Sequence, residues 1–399
     1  MKEKKCDTMY ILLVVRYDPF NSPSGTEIFA GNLSLELAKQ GHKVGLVHET
    51  RASLEVAHES VAGVESYGFH LTSLPYLRVL QYQRECAKIC TNLTNKSKVD
   101  AVVSFGAGTF AGNIFKKIGH SSKKPLLVYY AIDSMVAEYK RSMLSLSKKG
   151  LRRRLKAWIL YNEFIRSDKL SCNVADLVIA SCKDTANLLV SDYKVNPDKV
   201  KIVYFGFPDN YAEGFKIQDP DNPTFLHVST VPERKGTLHF LQALRVLEDK
   251  YKLRARGIIA GSKETFYVEA AKKMGVSVDF LGRIQNNKLK QYYASSTALV
   301  SPSLSEGFCL PVIEAAMFGK PSIVTNIGSL PELVTDGKTG CIVPVADIEA
   351  LADSMYQIAN NEVLRRKMGE TARICSENFK VSETVSNLLK LIEKHNIEA

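Results

Sequence analysis

Two carboxylates, Glu306 and Glu314, stand eight positions apart in this 399-residue chain, where they could accept hydrogen bonds from the hydroxyl groups of one ligand. Residues 298–301 before them predict a short buried strand, and Pro311 with the apolar residues that follow it predicts a helix. In such a strand-loop-helix unit the backbone N–H groups of residues 307–310 point out of the helix N-terminus, where the helix dipole favours an anion. An anion flanked by hydroxyl groups is typical of a nucleotide sugar, and the segment therefore predicts a site for one.

The sequence EGFCLPVIEAA, which begins at Glu306, resembles the signature of the family 4 retaining glycosyltransferases, a Glu, seven residues and a second Glu in an EGFGLPxxEA context. The similarity continues in order through GKP at 319–321, GSLPELV at 328–334 and DGKTG at 336–340. The alternative, a solvated loop acid and an exposed helix acid, would not explain this ordered run. The resemblance implies an α/β chain with the GT-B fold, in which two doubly wound Rossmann-like domains face each other across a cleft. It also implies a retaining sugar transfer that needs no metal and no cofactor.

Three other segments resemble parts of the same family pattern. STVPERKG at 229–236 is close to GRLxxEKG, FLGRI at 280–284 is close to FLGxV, and PSGTE at 23–27 resembles a glycine-rich loop before a helix. The resemblance implies that Glu314 holds ribose hydroxyls, and that the catalytic residues are Glu306, Lys235 and Asp133. The implied donor-binding residues are Gly25, Arg234, Lys235, Gly282, Arg283, Ile284, Glu306, Gly307, Phe308, Cys309, Leu310 and Glu314.

Two positions depart from the family pattern. Thr230 replaces an Arg that would contact the diphosphate, and Arg234 either substitutes for that cation or faces solvent, since a guanidinium can bind phosphate from a different stem. Ile132 replaces the His of a His–Asp pair, so that only Asp133 remains to bind an acceptor hydroxyl.

The eight cysteines show no paired metal-ligand spacing, and we interpret them as reduced thiols of a cytosolic protein. Cys309 stands where the family usually has glycine. A nucleophilic thiol is one interpretation, and a small side chain at a loop-to-helix junction is the one we favour.

Apolar strand-like runs alternate with helical stretches, and this alternation predicts parallel sheets covered by helices. The first set of predicted strands is 11–15, 44–47, 101–105, 126–130, 177–181 and 202–205, with helices such as 27–40 and 184–192 between them. The second set is 225–228, 258–260, 279–281, 298–301, 322–325 and 341–343. A linker rich in turn-forming residues separates the sets. We expect an acceptor-side domain at 1–208, a donor domain at 209–380 and a C-terminal helix at 381–399 that crosses back to the first domain.

The net charge of +11 is concentrated between positions 140 and 156, which carry eight cations and no acid. Leu151, Leu155, Trp158 and Ile159 form an apolar stripe beside them. The pattern predicts either a helix lying on an anionic membrane surface through 140–165 or a packed helix with a solvated basic face. Nucleic-acid binding is disfavoured, because no binding motif accompanies the charge.

The N-terminal apolar run is too short for a signal peptide, and no run approaches the ~18 residues of a spanning helix. We expect a cytoplasmic protein, either free or peripheral at the inner face of the membrane.

The leading hypothesis is a retaining hexosyl- or related glycosyltransferase that uses a nucleoside-diphosphate sugar, with UDP- and GDP-sugars as the expected donors. Its acceptor would be a hydroxyl of a glycan or a lipid-linked molecule in cell-surface polysaccharide or glycoconjugate synthesis. One alternative is a non-catalytic GT-B subunit that partners an active transferase, which the departures at Thr230 and Ile132 permit. The other is a different nucleotide-sugar enzyme on the same fold, such as an epimerase or a phosphorylase.

Overall fold

The computed structural model describes residues 8–20, 25–50, 58–71, 75–106, 109–119, 124–139 and 151–398. The chain divides into two units, Met1–Asp209 together with Lys380–Ala399 (unit one) and Asn210–Phe379 (unit two). Each unit has its own sheet and its own hydrophobic core.

In its described part, unit one contains an eight-stranded sheet in the order β3-β4-β2-β1-β5-β6-β7-β8. The strands are β1 Tyr10–Tyr17, β2 Lys43–Glu49, β3 His58–Val61, β4 Val64–Phe69, β5 Ala101–Phe105, β6 Leu126–Ala131, β7 Leu177–Ala180 and β8 Val200–Ile202. All pair in parallel except β3, which forms an antiparallel hairpin with β4. The strand β1 is buried along most of its length, as expected for a parallel strand covered by helices on both faces.

Five helices of the described part of unit one connect its strands, and a sixth ends the chain. They are α1 Gly25–Lys39, α2 Pro75–Lys96, α3 Ala111–Ile118, α4 Leu151–Val174, α5 Lys183–Tyr193 and the C-terminal α13 Val381–Glu398. The helix α13 packs against α1, and Thr384 Oγ1 donates a hydrogen bond of 3.0 Å to the carbonyl oxygen of Tyr204.

Unit two contains a six-stranded parallel sheet in the order β11-β10-β9-β12-β13-β14. Its strands are β9 Thr224–Ser229, β10 Arg256–Gly261, β11 Val278–Gly282, β12 Ala298–Ser301, β13 Ser322–Thr325 and β14 Gly340–Val343. Its helices are α6 Thr237–Tyr251, α7 Thr265–Met274, α8 Asn286–Ala294, α9 Leu310–Met317, α10 Leu330–Leu333, α11 Ile348–Asn360 and α12 Glu362–Ser376. Counted from its first strand, this order is 3-2-1-4-5-6, the order of dinucleotide-binding doubly wound sheets.

The prediction of two doubly wound α/β units is confirmed, whereas two details of the first sheet were missed. The predicted strand 202–205 is wrong, because β8 ends at Ile202 and the apolar residues after it pack into the core instead. Phe205, for example, stacks on Phe29 with ring centroids 4.1 Å apart. The β3–β4 hairpin at the sheet edge was not predicted.

The predicted membrane-binding segment is only partly described. The backbone of 151–174 is helical, in α4. Residues 140–150 lie outside the described residues, and so do the side chains of Arg152, Arg153, Arg154 and Lys156. The side chains of Leu155 and Trp158 are 56% and 51% exposed.

Candidate active site

The strand order of unit two reverses between β9 and β12, which pair with each other near the middle of the sheet. Ligands of open α/β sheets bind beyond the carboxyl ends of the strands at such a reversal. The loop after β9 leads through Arg234 and Lys235 into α6, and the loop after β12 leads through Glu306 into α9. The topology therefore brings two predicted donor-binding segments to one edge of one sheet.

These loops are held against each other by their backbones. Gly236 has a φ of +70°, and a Cβ atom there would lie 1.9 Å from the carbonyl oxygen of Pro302. Gly328, after β13, has a φ of +57°, and a Cβ atom there would lie 2.0 Å from the carbonyl oxygen of Glu306. The N–H of Leu304 donates to the carbonyl oxygen of Arg234 at 2.8 Å. Only glycine permits the close approaches at 236 and 328, so the site is built on main-chain contacts.

A buried ion pair lies where the first two loops meet. Lys235 Nζ donates to Glu306 Oε2 at 2.5 Å, and Ser303 Oγ donates to the same oxygen at 3.1 Å. The other carboxylate oxygen lies 3.8 Å from Arg234 Nη1. Lys235 is 7% exposed and Glu306 is 3% exposed. Arg234, whose side chain is 28% exposed, lies beside the acid and also reaches solvent, and two cations therefore surround one carboxylate.

Both members of the ion pair are charged. Burial would raise the pKa of Glu306, but the charges of Lys235 and Arg234 outweigh burial and hold this pKa below its ordinary value. Burial would lower the pKa of Lys235, but the Glu306 carboxylate, and at alkaline pH also the Cys309 thiolate, outweigh burial and raise this pKa above its ordinary value. A charge-assisted hydrogen bond of this kind fixes the position of both side chains.

The Cys309 thiol is buried beside this pair, with Sγ 4.0 Å from Lys235 Nζ and 3.6 Å from Ser301 Oγ. Burial raises the pKa of the thiol to about 11, so it is protonated at neutral pH. A protonated, fully buried thiol agrees with the interpretation of Cys309 as a packing residue.

Two of the four N–H groups expected to face an anion are engaged within the protein. The N–H of Cys309 donates to Ser329 Oγ at 3.3 Å, and the N–H of Leu310 donates to the carbonyl oxygen of Phe308 at 3.2 Å. The expectation that all of 307–310 point at a ligand is therefore wrong for these two groups.

Glu314 lies inside α9, one helix turn past Pro311, and two tyrosines hold its carboxylate. Tyr211 donates to Oε1, and Tyr293 donates to Oε2 at 2.8 Å. Burial raises the pKa of Glu314 above its ordinary value, and the two phenols act in the opposite direction. Sequence reasoning did not find either tyrosine, because Tyr211 and Tyr293 lie 103 and 21 positions from Glu314 along the chain.

The remaining predicted residues of unit two lie at the carboxyl end of β11. Gly282 has a φ of +65°, Arg283 is exposed and Ile284 is half-buried. Thr230, the departure from the family pattern, is exposed.

Gly25 and Asp133 lie in unit one. Gly25 is the first residue of α1, and Asp133 follows β6, where its Oδ1 accepts a hydrogen bond of 2.7 Å from the N–H of Ser134. The loop that carries Asp133 is anchored by Ser181 Oγ, which donates to the carbonyl oxygen of Ile132 at 2.8 Å. The roles of Gly25 and Asp133 stay predictions.

A buried acid that sequence reasoning missed lies behind this loop. Asp168 of α4 is fully buried, accepts hydrogen bonds from the phenols of Tyr129 and Tyr193, and has no cation among these partners. The N–H of Met135 donates to the Tyr193 hydroxyl oxygen at 2.9 Å. Burial raises the pKa of Asp168 to about 6. No sequence motif surrounds Asp168, so there was no signal to find it by.

Within the described residues, no helix is long and apolar enough to cross a membrane. The same residues contain no group of three or more His, Cys, Asp or Glu side chains arranged to hold a metal ion.

Two doubly wound units with a charged site at the strand-order reversal of the second define a GT-B type protein. Solved structures share this fold. Sucrose-phosphate synthase from Thermosynechococcus elongatus superposes with a TM-score of 0.80 at 18% identity, over 98% of this chain and 100% of that chain. HepE from Anabaena, described in complex with UDP-glucose, superposes with a TM-score of 0.70 at 16% identity, over 97% and 100% of the two chains.

Family models match both units in sequence. The model described as Glycosyltransferase Family 4 matches residues 23–210, and the model described as Glycosyl transferases group 1 matches residues 213–374. The chain belongs to the family 4 glycosyltransferases.

Curated relatives match over part of their length. A D-inositol 3-phosphate glycosyltransferase of Streptomyces scabiei is 30% identical over an alignment of 228 residues that covers 51% of this chain and 51% of the relative. An uncharacterized glycosyltransferase of Methanocaldococcus jannaschii is 27% identical over 229 residues, which are 57% of this chain and 62% of the relative. The chain thus spans about half to three fifths of the length of these two relatives.

Proposed function

We propose that this protein transfers a sugar, with retention of anomeric configuration, from a nucleoside-diphosphate sugar to a hydroxyl of a glycan or lipid-linked acceptor. The observation that carries the proposal is the cluster formed by the buried Lys235–Glu306 pair and the partly exposed Arg234 at the strand-order reversal of unit two. Two cations and one carboxylate leave one net positive charge where ligands of doubly wound sheets bind. A diphosphate is the part of a sugar donor that such a charge attracts.

The side chains take different parts in the transfer. The acceptor oxygen forms a bond to the anomeric carbon, the bond from that carbon to the diphosphate oxygen breaks, and the acceptor proton passes to the diphosphate on the same face of the sugar. Lys235 and Arg234 stabilise the negative charge that grows on the diphosphate as this bond breaks. Glu306 accepts hydrogen bonds from sugar hydroxyls and orients the anomeric carbon, and Glu314 accepts them from the ribose.

Unit one is proposed to handle the acceptor. Asp133 stands beyond the carboxyl end of β6, where its carboxylate can accept a hydrogen bond from an acceptor hydroxyl. Gly25 at the start of α1 lets a ligand approach the backbone closely, because it has no side chain.

Similar proteins support the choice of donor and process. HepE from Anabaena is described in complex with UDP and with UDP-glucose, and WaaG is described as a glycosyltransferase involved in lipopolysaccharide biosynthesis. These similar proteins support a UDP- or GDP-sugar as the donor. They also support a role in cell-surface polysaccharide or glycoconjugate synthesis.

We further propose that α4 lies on an anionic membrane surface when the acceptor is lipid-linked. Leu155 and Trp158 stand three positions apart on this helix, and both are more than half exposed. Residues three apart share a helix face, and the sequence has eight cations between positions 140 and 156. An exposed Trp and Leu among cations are typical of a helix bound at the interface of acidic lipids.

The direct test is a panel of UDP-, GDP- and ADP-sugars, measured for binding by calorimetry and for donor hydrolysis with and without simple glycan acceptors. One donor is expected to bind, to release its nucleoside diphosphate without added metal, and to give a product whose NMR anomeric coupling equals that of the donor. Glu306→Gln is the matched variant, since it removes the charge and keeps the volume, and its turnover should be strongly reduced. Absence of binding by every sugar nucleotide would refute the proposal, and a product of inverted configuration would refute its retaining part.

A further inference from the structure

The carboxylate of Glu314 has one phenol on each oxygen, and the two phenols come from different parts of unit two. Tyr211 lies in the turn at 210–214, and Tyr293 lies in α8. Tyr211 donates to Oε1 and Tyr293 donates to Oε2, so the carboxylate group cannot rotate without breaking a hydrogen bond. A carboxylate offers about four acceptor sites, and two phenols therefore leave about two for a ligand.

Both tyrosine rings are themselves held in place. Tyr211 is 6% exposed and Tyr293 is fully buried. Lys290 Nζ lies 3.9 Å from the ring centroid of Tyr211, and the Tyr211 hydroxyl is also 3.3 Å from Asn286 Oδ1. The Tyr293 ring stacks on Phe318 with centroids 6.0 Å apart. The phenols thus sit in fixed positions before any ligand arrives.

We propose that Tyr211 and Tyr293 are positioning residues for the sugar donor, which orient Glu314 so that its two remaining acceptor sites receive a pair of neighbouring ribose hydroxyls. The inference rests on the proposed function, because it takes Glu314 as the ribose acceptor. The tyrosines act through Glu314 and are not assigned a contact with the reacting atoms. A carboxylate left free to rotate would have to be ordered by the ligand itself, at a cost in affinity.

The test compares Tyr211→Phe and Tyr293→Phe with the parent protein, using UDP and GDP as probes in titration calorimetry. Each change removes one hydroxyl and keeps the ring. Loss of one hydrogen bond to a charged group should weaken nucleotide binding about tenfold. The KM for the donor should rise by a similar factor while kcat changes less than about twofold, because the ribose is bound equally in the ground and transition states. Tyr356→Phe is the matched control, since Tyr356 is a half-buried tyrosine of the same unit whose ring stacks on Tyr251, away from Glu314.

The pH dependence of nucleotide binding separates positioning from mere packing. Three groups around Glu314 favour its ionised form: the phenols of Tyr211 and Tyr293 and the ammonium of Lys290. A fourth titratable group, the Cys309 thiol, lies near Tyr293. Removal of either phenol should raise the pKa of Glu314 further. Ionised Glu314 is the hydrogen-bond acceptor, so affinity is lost as the pH falls through this pKa, and the loss should begin at a higher pH in both Phe variants.

The outcomes distinguish this inference from the proposed function. If the parent protein binds neither probe and no sugar nucleotide, the proposed function fails. The positioning role fails if the parent binds a probe, both Phe variants bind it as tightly as Tyr356→Phe does, and the pH at which affinity is lost does not change. A fall in melting temperature without a change in affinity also overturns it. Glu314→Gln supplies the last check, because adding Tyr293→Phe to it should cause no further loss of affinity.

Discussion

Lys235 and Glu306 form a buried ion pair, Nζ to Oε2 at 2.5 Å, that joins the loops after two neighbouring strands of one sheet. The positive charge of Lys235 is balanced mainly by the carboxylate of Glu306, and the ammonium of Lys235 is the nearest cation to that carboxylate. Removal of one partner from such a pair leaves an uncompensated buried charge, which is usually more destabilising than removal of both. The pair therefore has a structural contribution that can be separated from its contribution to the reaction.

A pair of variants makes that separation. Lys235→Met should destabilise unit two by about 3–5 kcal/mol, and adding Glu306→Gln should recover most of this loss. No fully buried charge is then left without its partner, since Arg234 is 28% exposed to solvent. Turnover should fall in the single variant by more than donor affinity does, since the diphosphate gains charge only as the bond breaks. It should stay low in the double variant. Urea unfolding followed by circular dichroism measures the first effect, and steady-state kinetics measures the second. Recovery of turnover in the double variant would show that Lys235 serves folding only.

The glycine at 236 allows a test of the main-chain contact between the loops. Gly236→Ala should destabilise the protein by about 4 kcal/mol or more, because its Cβ would meet a backbone oxygen that cannot move alone. Gly337→Ala is the matched control, since Gly337 has the same φ of +70° and no atom lies within 4 Å of its added Cβ. It should cost only about 1–2 kcal/mol of backbone strain. Equal losses in the two variants, measured by thermal melts, would contradict a tight contact at Pro302.

Asp168 should make the stability of unit one depend on pH. Its pKa is about 6 in the folded protein against an ordinary value of 3.8, so between these pH values the folded state holds more protons than the unfolded chain. The free energy of unfolding should therefore fall as the pH rises through this window, by about 3 kcal/mol in total. Asp168→Asn cannot titrate and should lack this decline, although it should be less stable overall because one amide oxygen must serve two phenols.

Fluorescence can follow this effect in unit one alone. The single Trp of the chain, Trp158, lies on α4 together with Asp168. Urea midpoints read from its emission between pH 4 and pH 7 report unit one without interference from tryptophan in unit two. Parallel pH profiles in the parent protein and in Asp168→Asn would show that Asp168 titrates as in the unfolded chain.

The basic segment of unit one should bind anionic vesicles at low salt. Replacement of Arg152, Arg153 and Arg154 by Gln should weaken vesicle binding about a hundredfold, since each cation near such a surface contributes roughly 1 kcal/mol. Donor hydrolysis should be unchanged. Vesicle sedimentation at increasing salt concentration measures the effect, and salt should weaken the parent protein in the same direction.

A triple variant with the same change in charge is the control. Lys88, Lys116 and Lys117 are exposed lysines of unit one that lie outside α4, and their replacement by Gln should have a much smaller effect on sedimentation. If the parent protein does not sediment with anionic vesicles, α4 is a packed helix with a solvated basic face.

The unit architecture could be predicted because parallel strands buried on both faces are apolar almost throughout. The strands β5, β12 and β13 have the predicted bounds, and Pro311 lies in the first turn of α9 as expected. The β3–β4 hairpin was missed because its strands lie at the sheet edge and contain His, Glu and Ser among their apolar residues. Strand propensity is weak for such sequences, and pairing with a neighbour decides their structure.

Side-chain partners were less predictable than elements. Spacing along the chain indicated Glu306, Glu314 and Lys235 as site residues, but it could not show that Lys235 pairs with Glu306 across 71 positions. Tyr211 contacts Glu314 across 103 positions and belongs to a turn without a motif. Long-range contacts of this kind depend on the assembled sheet, so local sequence patterns do not predict them.

The glycine contacts at 236 and 328 also determine how this site can be engineered. The position of the acid–base pair is fixed by backbone atoms, so exposed side chains on the same loop can be exchanged without displacing it. Thr230 and Val231 are both exposed on the loop after β9, and Val231 is 48% exposed. A library confined to these two positions would therefore vary the edge of the candidate site while Lys235 and Glu306 keep their positions, which makes this loop the place to begin altering ligand selectivity.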